Sequence, residues 1–519
     1  VSDDWSDGYV TDFDYTWGFF RELSPAWLSW VAGLHGHRVR APGEPFTYME
    51  LGCGNGLSAN AFAAAYPEGS FWACDFNPNH VANARELAAR AGSRNVEFLE
   101  KSFAELESAN LPEFDFITFH GVLSWISEAN RRHIIQFLRS KLKPGGVCYA
   151  SYNALPGWSA LEPVRRMMLE YASTVPGDTH TKVTAAIAWL GRLREANAKP
   201  IAENPRVQRL VDRITKADPA YVAHEYFNKD WELFYFQDVV REFGAAKLTW
   251  AGSANLVDNE EGLRVGRAGT DLLRGVNDPL VREQSRDFLQ SPTFRKDVFV
   301  KGSPRAEWAR DPHLNPGLLK LAIGNGRATN RLAAEVKMPA GTVRFKNEFD
   351  PVLYSLFDRG SRSLGEIFEP MQRVGRSPAQ TLASVRVFVA TDQLRPCARA
   401  YPVTAAASGF APLSPFNQMA VEDAVTEGNA RVLCSPSHGT GVLFTVREGC
   451  LLDAIAAVGA DRAVEHATQR LRAAGRRLVV DGVALDGDAA HRAALLEEFQ
   501  AFRGRKIDRF LRLGVLVPA

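Results

Sequence analysis

Between residues 46 and 152 short apolar runs alternate with stretches whose apolar positions recur at helical spacing. Phe46–Leu51, Ser70–Asp75, Val96–Leu99, Phe114–Phe119 and Gly146–Tyr152 carry β-branched or aromatic residues between breakers and predict strands. Leu57–Tyr66, Asn79–Ala91 and Glu128–Leu142 predict helices, the second capped by Asn77 with Pro78 in its first turn. Strands separated by helices at this interval call for a parallel sheet covered on both faces, a doubly wound α/β fold. The turn Lys143-Pro144-Gly145-Gly146 is expected to end a helix and release the fifth strand.

The remainder of the 519 residues reads differently. Residues 9–34 are aromatic and mostly helical, suited to lid a cleft or cover a sheet edge. Leu161–Val175, Lys182–Ala198 and Val207–Lys216 predict helices, and a mixed segment follows to about residue 302. Ser363-x-x-Glu366 and Ser377-x-x-Gln380 are capping boxes, and the last hundred residues are helical with a hairpin expected at Asp481-Gly482. At roughly 150 residues per domain the length suggests about three. The expected division is 1–160, 161–310 and 311–519, the last mainly helical with a winged-helix module as one reading of 320–395.

Composition narrows the function classes. Lys and Arg total 61 against 60 Asp and Glu, so no global field gathers nucleic acid. No apolar run reaches the roughly 18 residues of a membrane helix, the acidic start lacks signal-peptide zones, and the six cysteines show no CxxC pairing. A cytoplasmic chain is expected. His35-Gly36-His37 lacks acidic or cysteine partners, so no metal is expected.

The most informative stretch is Glu50-Leu51-Gly52-Cys53-Gly54-Asn55-Gly56-Leu57, in the first strand-to-helix crossover, where open α/β sheets bind ligands. A dinucleotide fingerprint requires glycine at 57, which is leucine. Asp75 ends the second strand, where a carboxylate can accept ribose hydroxyls or cap a helix, and Phe76 beside it can pack on adenine. Lys101-Ser102-Phe103 follows the third strand, and His120-Gly121-Val122-Leu123-Ser124-Trp125 the fourth.

G-x-G-x-G after an acidic residue resembles motif I of class I S-adenosylmethionine (SAM) methyltransferases. By that resemblance Gly52, Gly54, Asn55 and Gly56 cradle the cofactor, Glu50 orients its amino end, Asp75 its ribose, and Phe76, Ser102 and Phe103 its adenine. Tyr15, His120 and Gly121 complete the expected cofactor set, with S-adenosylhomocysteine (AdoHcy) as product. The motifs at 120–125 and at Ser151-Tyr152-Asn153-Ala154-Leu155-Pro156-Gly157-Trp158 are similar to signatures of bacterial methyltransferases carrying a regulatory domain. Ala223–Asn228, Trp231, Ala246–Leu248, Arg286–Phe288 and Phe294–Asp297 extend the similarity over residues 9–302. Rickettsial protein lysine methyltransferases are the best known members, so the resemblance implies a protein lysine acceptor.

A lysine amine has a free pKa near 10.4 and must lose a proton before attack, which an apolar aromatic cleft favours. Tyr152 and Asn153 are expected to orient the nucleophile and His120 to receive its proton, or to act only as a hydrogen-bond partner. Trp125, Tyr152 and Trp158 are expected at the acceptor, with core packing the competing reading for the tryptophans. His120-Gly121-Val122 stands where nucleobase methyltransferases carry [N/D]-P-P-[Y/F], which argues against DNA as substrate. Two alternatives stay open: a small-molecule or glycan acceptor, with the extra domains as lid or homodimer interface, and a SAM-binding regulator without turnover.

Overall fold

The computed structural model describes residues 17–327, 331–401 and 410–518. Its centre is a seven-stranded sheet built from β1 (Phe46–Leu51), β2 (Gly69–Asp75), β3 (Val96–Glu100), β4 (Phe114–Phe119), β5 (Leu142–Asn153), β6 (Leu248–Ser253) and β7 (Phe294–Lys301). The order is β3-β2-β1-β4-β5-β7-β6. The first five strands run parallel, and β7 runs antiparallel to both β5 and β6. Strands covered on two faces need apolar residues at nearly every position, and Phe114–Phe119 has them: five of its six residues are buried or lie in the core, with Asp115 half-buried. The expected α/β architecture is the observed one.

Helices α1 (Pro25–Leu34), α2 (Leu57–Ala65), α3 (Pro78–Arg90), α4 (Phe103–Glu107) and α5 (Glu128–Lys141) flank the sheet. All ten residues of α1 are buried, because sheet strands lie on one side and the C-terminal region covers the other. Asn77 caps α3 as expected, its side chain accepting the Asn79 N–H at 2.9 Å. The turn expected at 143–146 lies inside β5. Leu142 pairs with Phe114 and Val147 with Phe116, so residues 143–146 bulge out of the ladder.

Beyond the expected boundary at residue 160 the chain both adds to the first core and builds one of its own. β6 and β7 complete the sheet, and Phe234, Val239, Phe243 and Phe299 pack with Phe119 and Tyr152 in one cluster. The helices between Glu162 and Tyr226 form a core of their own, around Met168, Val183, Leu210 and Tyr226. The boundary at 311 is likewise crossed: Leu318, Ile323, Phe388 and Cys434 share a core with α1, Tyr48 and Phe62. Residues from Leu413 to Leu516 build a separate helical core. The hairpin at Asp481-Gly482 is present, both residues taking positive φ (50° and 81°) between Val479–Val480 and Val483–Ala484.

Candidate active site

At the carboxyl end of β1 the chain turns into α2 through Gly52, Gly54 and Gly56, with φ of 67°, 52° and 69°. These are left-handed conformations that side-chain-bearing residues rarely adopt. At Gly56 a β-carbon would stand 2.5 Å from Ala84 Cβ and 2.7 Å from the Phe98 ring. Close packing of α3 and β3 thus fixes this glycine as firmly as the turn does.

Asp75, at the end of β2, holds the turn from beneath. Its carboxylate accepts the N–H of Gly54 at 2.9 Å and of Asn77 at 3.0 Å, and His80 Nδ1 lies 3.2 Å away. A carboxylate offers about four acceptor positions, so these contacts leave room for one more hydrogen bond. Glu50 is 4% exposed, and its Oε2 has no hydrogen-bond partner. Burial, aided by the Asp75 carboxylate, pushes Glu50 up to about 8. Two carboxylates in one hollow, one of them unsatisfied, favour a cationic ligand.

Asn55 is buried and accepts a hydrogen bond from Asn83 Nδ2 at 3.0 Å. Phe76, Ser102 and Phe103 are half-buried at the ends of β2 and β3. Ser102 also caps α4, in a reciprocal box with Glu105 that follows the S-x-x-E spacing. Tyr15 lies outside the described residues.

Beyond β4, the half-buried His120 ring stacks on Phe20 with centroids 3.7 Å apart and meets the edge of Phe294. Its Nδ1 lies 2.8 Å from the Tyr149 hydroxyl and 3.3 Å from Ser151 Oγ. Burial, with Lys296 adding repulsion, lowers His120 to about 3, so the imidazole is neutral. Gly121 takes φ 64° and donates its N–H to Ser151 Oγ at 2.9 Å. Phe20 is held over this point by its N–H to Ser58 Oγ (3.2 Å), and Glu22 pairs with Lys296 at 2.8 Å.

On the acceptor side Tyr152 departs from its expected place, while for Trp158 and His120 the geometry favours core packing and a hydrogen-bond role, readings already open for them. Tyr152 is fully buried on the opposite face of β5, its hydroxyl donating to Asp297 at 2.5 Å, so it does not reach the cleft. Trp158 is core: its Nε1 donates to the Thr293 carbonyl at 2.8 Å and its ring meets Trp231 edge-on. His120, with so low a proton affinity, is a poor receiver for a proton from an amine. Half-buried Trp125 donates to the Glu225 carbonyl at 3.2 Å, as does Trp231. Asn153 is buried, its N–H bonded to Ser124 Oγ (2.8 Å) and its Nδ2 without a partner.

Phe20, Ser58, Tyr149 and Ser151 were missed. Side chains alternate along a strand, so residues on the His120 side of β5 are 147, 149, 151 and 153, not 152. The clustering of Val147 and Tyr149 on one face and Cys148, Ala150 and Tyr152 on the other shows this parity.

Comparison with known proteins agrees with this geometry. A methyltransferase domain model matches residues 49–146, and a predicted methyltransferase regulatory domain matches residues 218–301. An uncharacterized protein of Synechocystis is 31% identical over 516 residues, 98% of this chain and 99% of its own length. The chain belongs to the methyltransferases that carry a regulatory domain. A Rickettsia prowazekii protein, also uncharacterized, is 27% identical over 52% of this methyltransferase and 49% of itself. The solved structure of PKMT2 from Rickettsia typhi in complex with AdoHcy has the same fold, with TM-score 0.70 and 18% identity over 97% of this chain and 99% of that one.

The enzyme is a class I SAM-dependent methyltransferase. The residues present fit that cofactor, whose sulfonium and ammonium against one carboxylate leave a net positive charge for the hollow between Glu50 and Asp75. Glu50 Oε2 would take the ammonium, Asp75 the ribose hydroxyls, and the loop from Gly52 to Gly56 the backbone approach. Among the described residues no helix is long and apolar enough to cross a membrane.

Proposed function

We propose that this methyltransferase transfers methyl groups to lysine side chains of a protein. The observation that supports this best is the enclosure beside the cofactor hollow. Phe20, Phe294 and neutral His120 form an aromatic, low-dielectric wall, and the buried Asn153 amide has an unused donor group. An ammonium entering such a wall loses hydration and gives up its proton more readily. When bound, the cofactor would supply an electrophilic methyl carbon for the amine lone pair, with the thioether of AdoHcy as the leaving group. The proton leaves to water, because His120 binds it too weakly, and His120 with Tyr149 and Ser151 instead holds the rim in one geometry. The likeness along the whole chain to PKMT2 supports a polypeptide acceptor, as does the resemblance to rickettsial protein lysine methyltransferases.

The test is incubation of the full chain with methyl-labelled SAM and cell lysate, followed by hydrolysis of precipitated protein. Label in methylated lysine is the expected result. Label confined to soluble small molecules would overturn the reading.

A further inference from the structure

A second charged cluster forms where the small sheet of the C-terminal half meets the final helix. β8 (Ala322–Gly324) runs between Arg362–Ser363 and Arg395–Cys397, and then turns through Gly324-Asn325-Gly326-Arg327. The helix Ile507–Arg512 lies against that turn: Arg509 Nε donates to the Gly326 carbonyl at 3.4 Å and Arg512 Nη2 to the Arg327 carbonyl at 2.6 Å. On the α-carbon of Gly326 a β-carbon would stand 3.3 Å from both Arg395 Nη1 and His438 Nε2. Arg327, Arg395, Arg509 and Arg512 thus gather around one glycine and one histidine.

Few of these guanidiniums are paired directly, although Asp358 and Asp508 act on Arg512 and Glu448 acts on Arg509. Among the described residues Asp392 alone forms an ion pair with any of the four arginines, holding Arg395 through Nε and Nη2 at 2.7 and 2.8 Å. Arg512 is 4% exposed with its Nε unpartnered, and His438 is 2% exposed with its Nε2 unpartnered. A buried donor without an acceptor, such as the Arg512 Nε–H, is rare because it forfeits its hydration without replacement. Planar guanidinium groups converging from two elements match the tetrahedral face of an oxyanion. The same positive surroundings, after burial itself, depress His438 to about 3, with Arg395, Arg512 and Arg509 each contributing.

We propose that this cluster binds a phosphate dianion, either free or as the monoester group of a small metabolite. The phosphoryl oxygens accept from the open guanidinium edges of Arg395, Arg509 and Arg512. The site is one residue from Gly439, whose carbonyl accepts the Ser24 hydroxyl hydrogen at 2.7 Å. Occupation would therefore steady the segment from Trp17 to Ser24, which places Phe20 over His120.

The test titrates the full chain with sodium phosphate and, separately, with glycerol 3-phosphate, each against sodium chloride at equal ionic strength. Saturable one-to-one binding by calorimetry and a rise in melting temperature beyond that given by chloride are expected. The tighter of the two ligands distinguishes free phosphate from a monoester. Arg509→Gln, a half-buried position, and Arg395→Gln should each weaken binding at least tenfold and leave AdoHcy affinity unchanged. Stabilisation fully reproduced by chloride would overturn the proposal, as would wild-type phosphate affinity in both variants.

Discussion

The phenol of Tyr152 donates its hydrogen to Asp297 at 2.5 Å, across the seam between β5 and β7. Asp297 also accepts from Arg295 Nε and Nη2 at 2.8 and 2.7 Å and from Trp250 Nε1 at 3.0 Å. Arg295 in turn reaches Glu283 and Asp287, so the seam is a buried polar network. Tyr152→Phe should cost about 1.5–3 kcal/mol of stability, as for a hydrogen bond to a charged group. AdoHcy affinity should not change. Urea unfolding and calorimetry check both parts, and a turnover defect without lost stability would return Tyr152 to the active site.

Gly56→Ala should impair folding and AdoHcy binding together. The left-handed backbone costs about 1–2 kcal/mol with a side chain, and the new methyl would lie 2.5 Å from Ala84 Cβ. A normal melting temperature with normal binding would contradict this packing account.

Asp75→Asn should weaken AdoHcy binding by about 1.5–3 kcal/mol, through loss of a charged acceptor for the ribose. It should also loosen the turn, since the Gly54 N–H bond becomes neutral. Faster amide exchange at Gly54 alongside the weaker affinity is the paired readout.

Glu50 supplies a pH signature. Its pKa rises in the folded protein from 4.5 to about 8, so the native state holds a proton that the unfolded chain has released. Stability of the free enzyme should therefore fall as pH climbs from about 4.5 to 8, by at most about 1.4 kcal/mol per pH unit from this group. Glu50→Gln should flatten that slope. An ammonium group against Glu50 favours the ionised carboxyl, so binding of AdoHcy, which keeps that ammonium, should release a proton at pH 7 in the wild type and not in Glu50→Gln. Calorimetry in buffers of different ionisation enthalpy reads this directly.

His120 should leave no titration near its ordinary value in the rate profile, because burial and Lys296 hold it at about 3. With a lysine acceptor, kcat/KM should climb with pH toward the ionisation of the amine. An inflection near 6.5 that disappears in His120→Asn would show the imidazole to be a working base after all.

The cofactor half of the site was legible because its chemistry is local. Glu50, the glycines and Asp75 sit at strand ends that the apolar pattern locates to within a residue, and the turn itself demands left-handed backbone. The acceptor half was not, for two reasons. One is parity: a motif that reads Ser151-Tyr152-Asn153 as a unit splits across the two faces of β5, sending Tyr152 to Asp297 and Ser151 to His120. The other is distance along the chain: Lys296, Phe294 and Trp231 reach the neighbourhood only through tertiary folding after the helices of 162–226. Nor does local pattern show that β6 and β7 belong to the first sheet, since the chain leaves β5 at Asn153 and returns at Leu248.

The regulatory domain contributes the last two strands of the sheet, which changes what it can be said to regulate. Every residue of β5 from Val147 to Asn153 has its outer partner on β7, between Val300 and Phe294. A chain cut short before residue 294 would present that whole border as unsatisfied amides and carbonyls, a template for self-association. Releasing the catalytic half would expose that border, so control exerted through residues 218–301 is expected to adjust a shared wall rather than detach a cover.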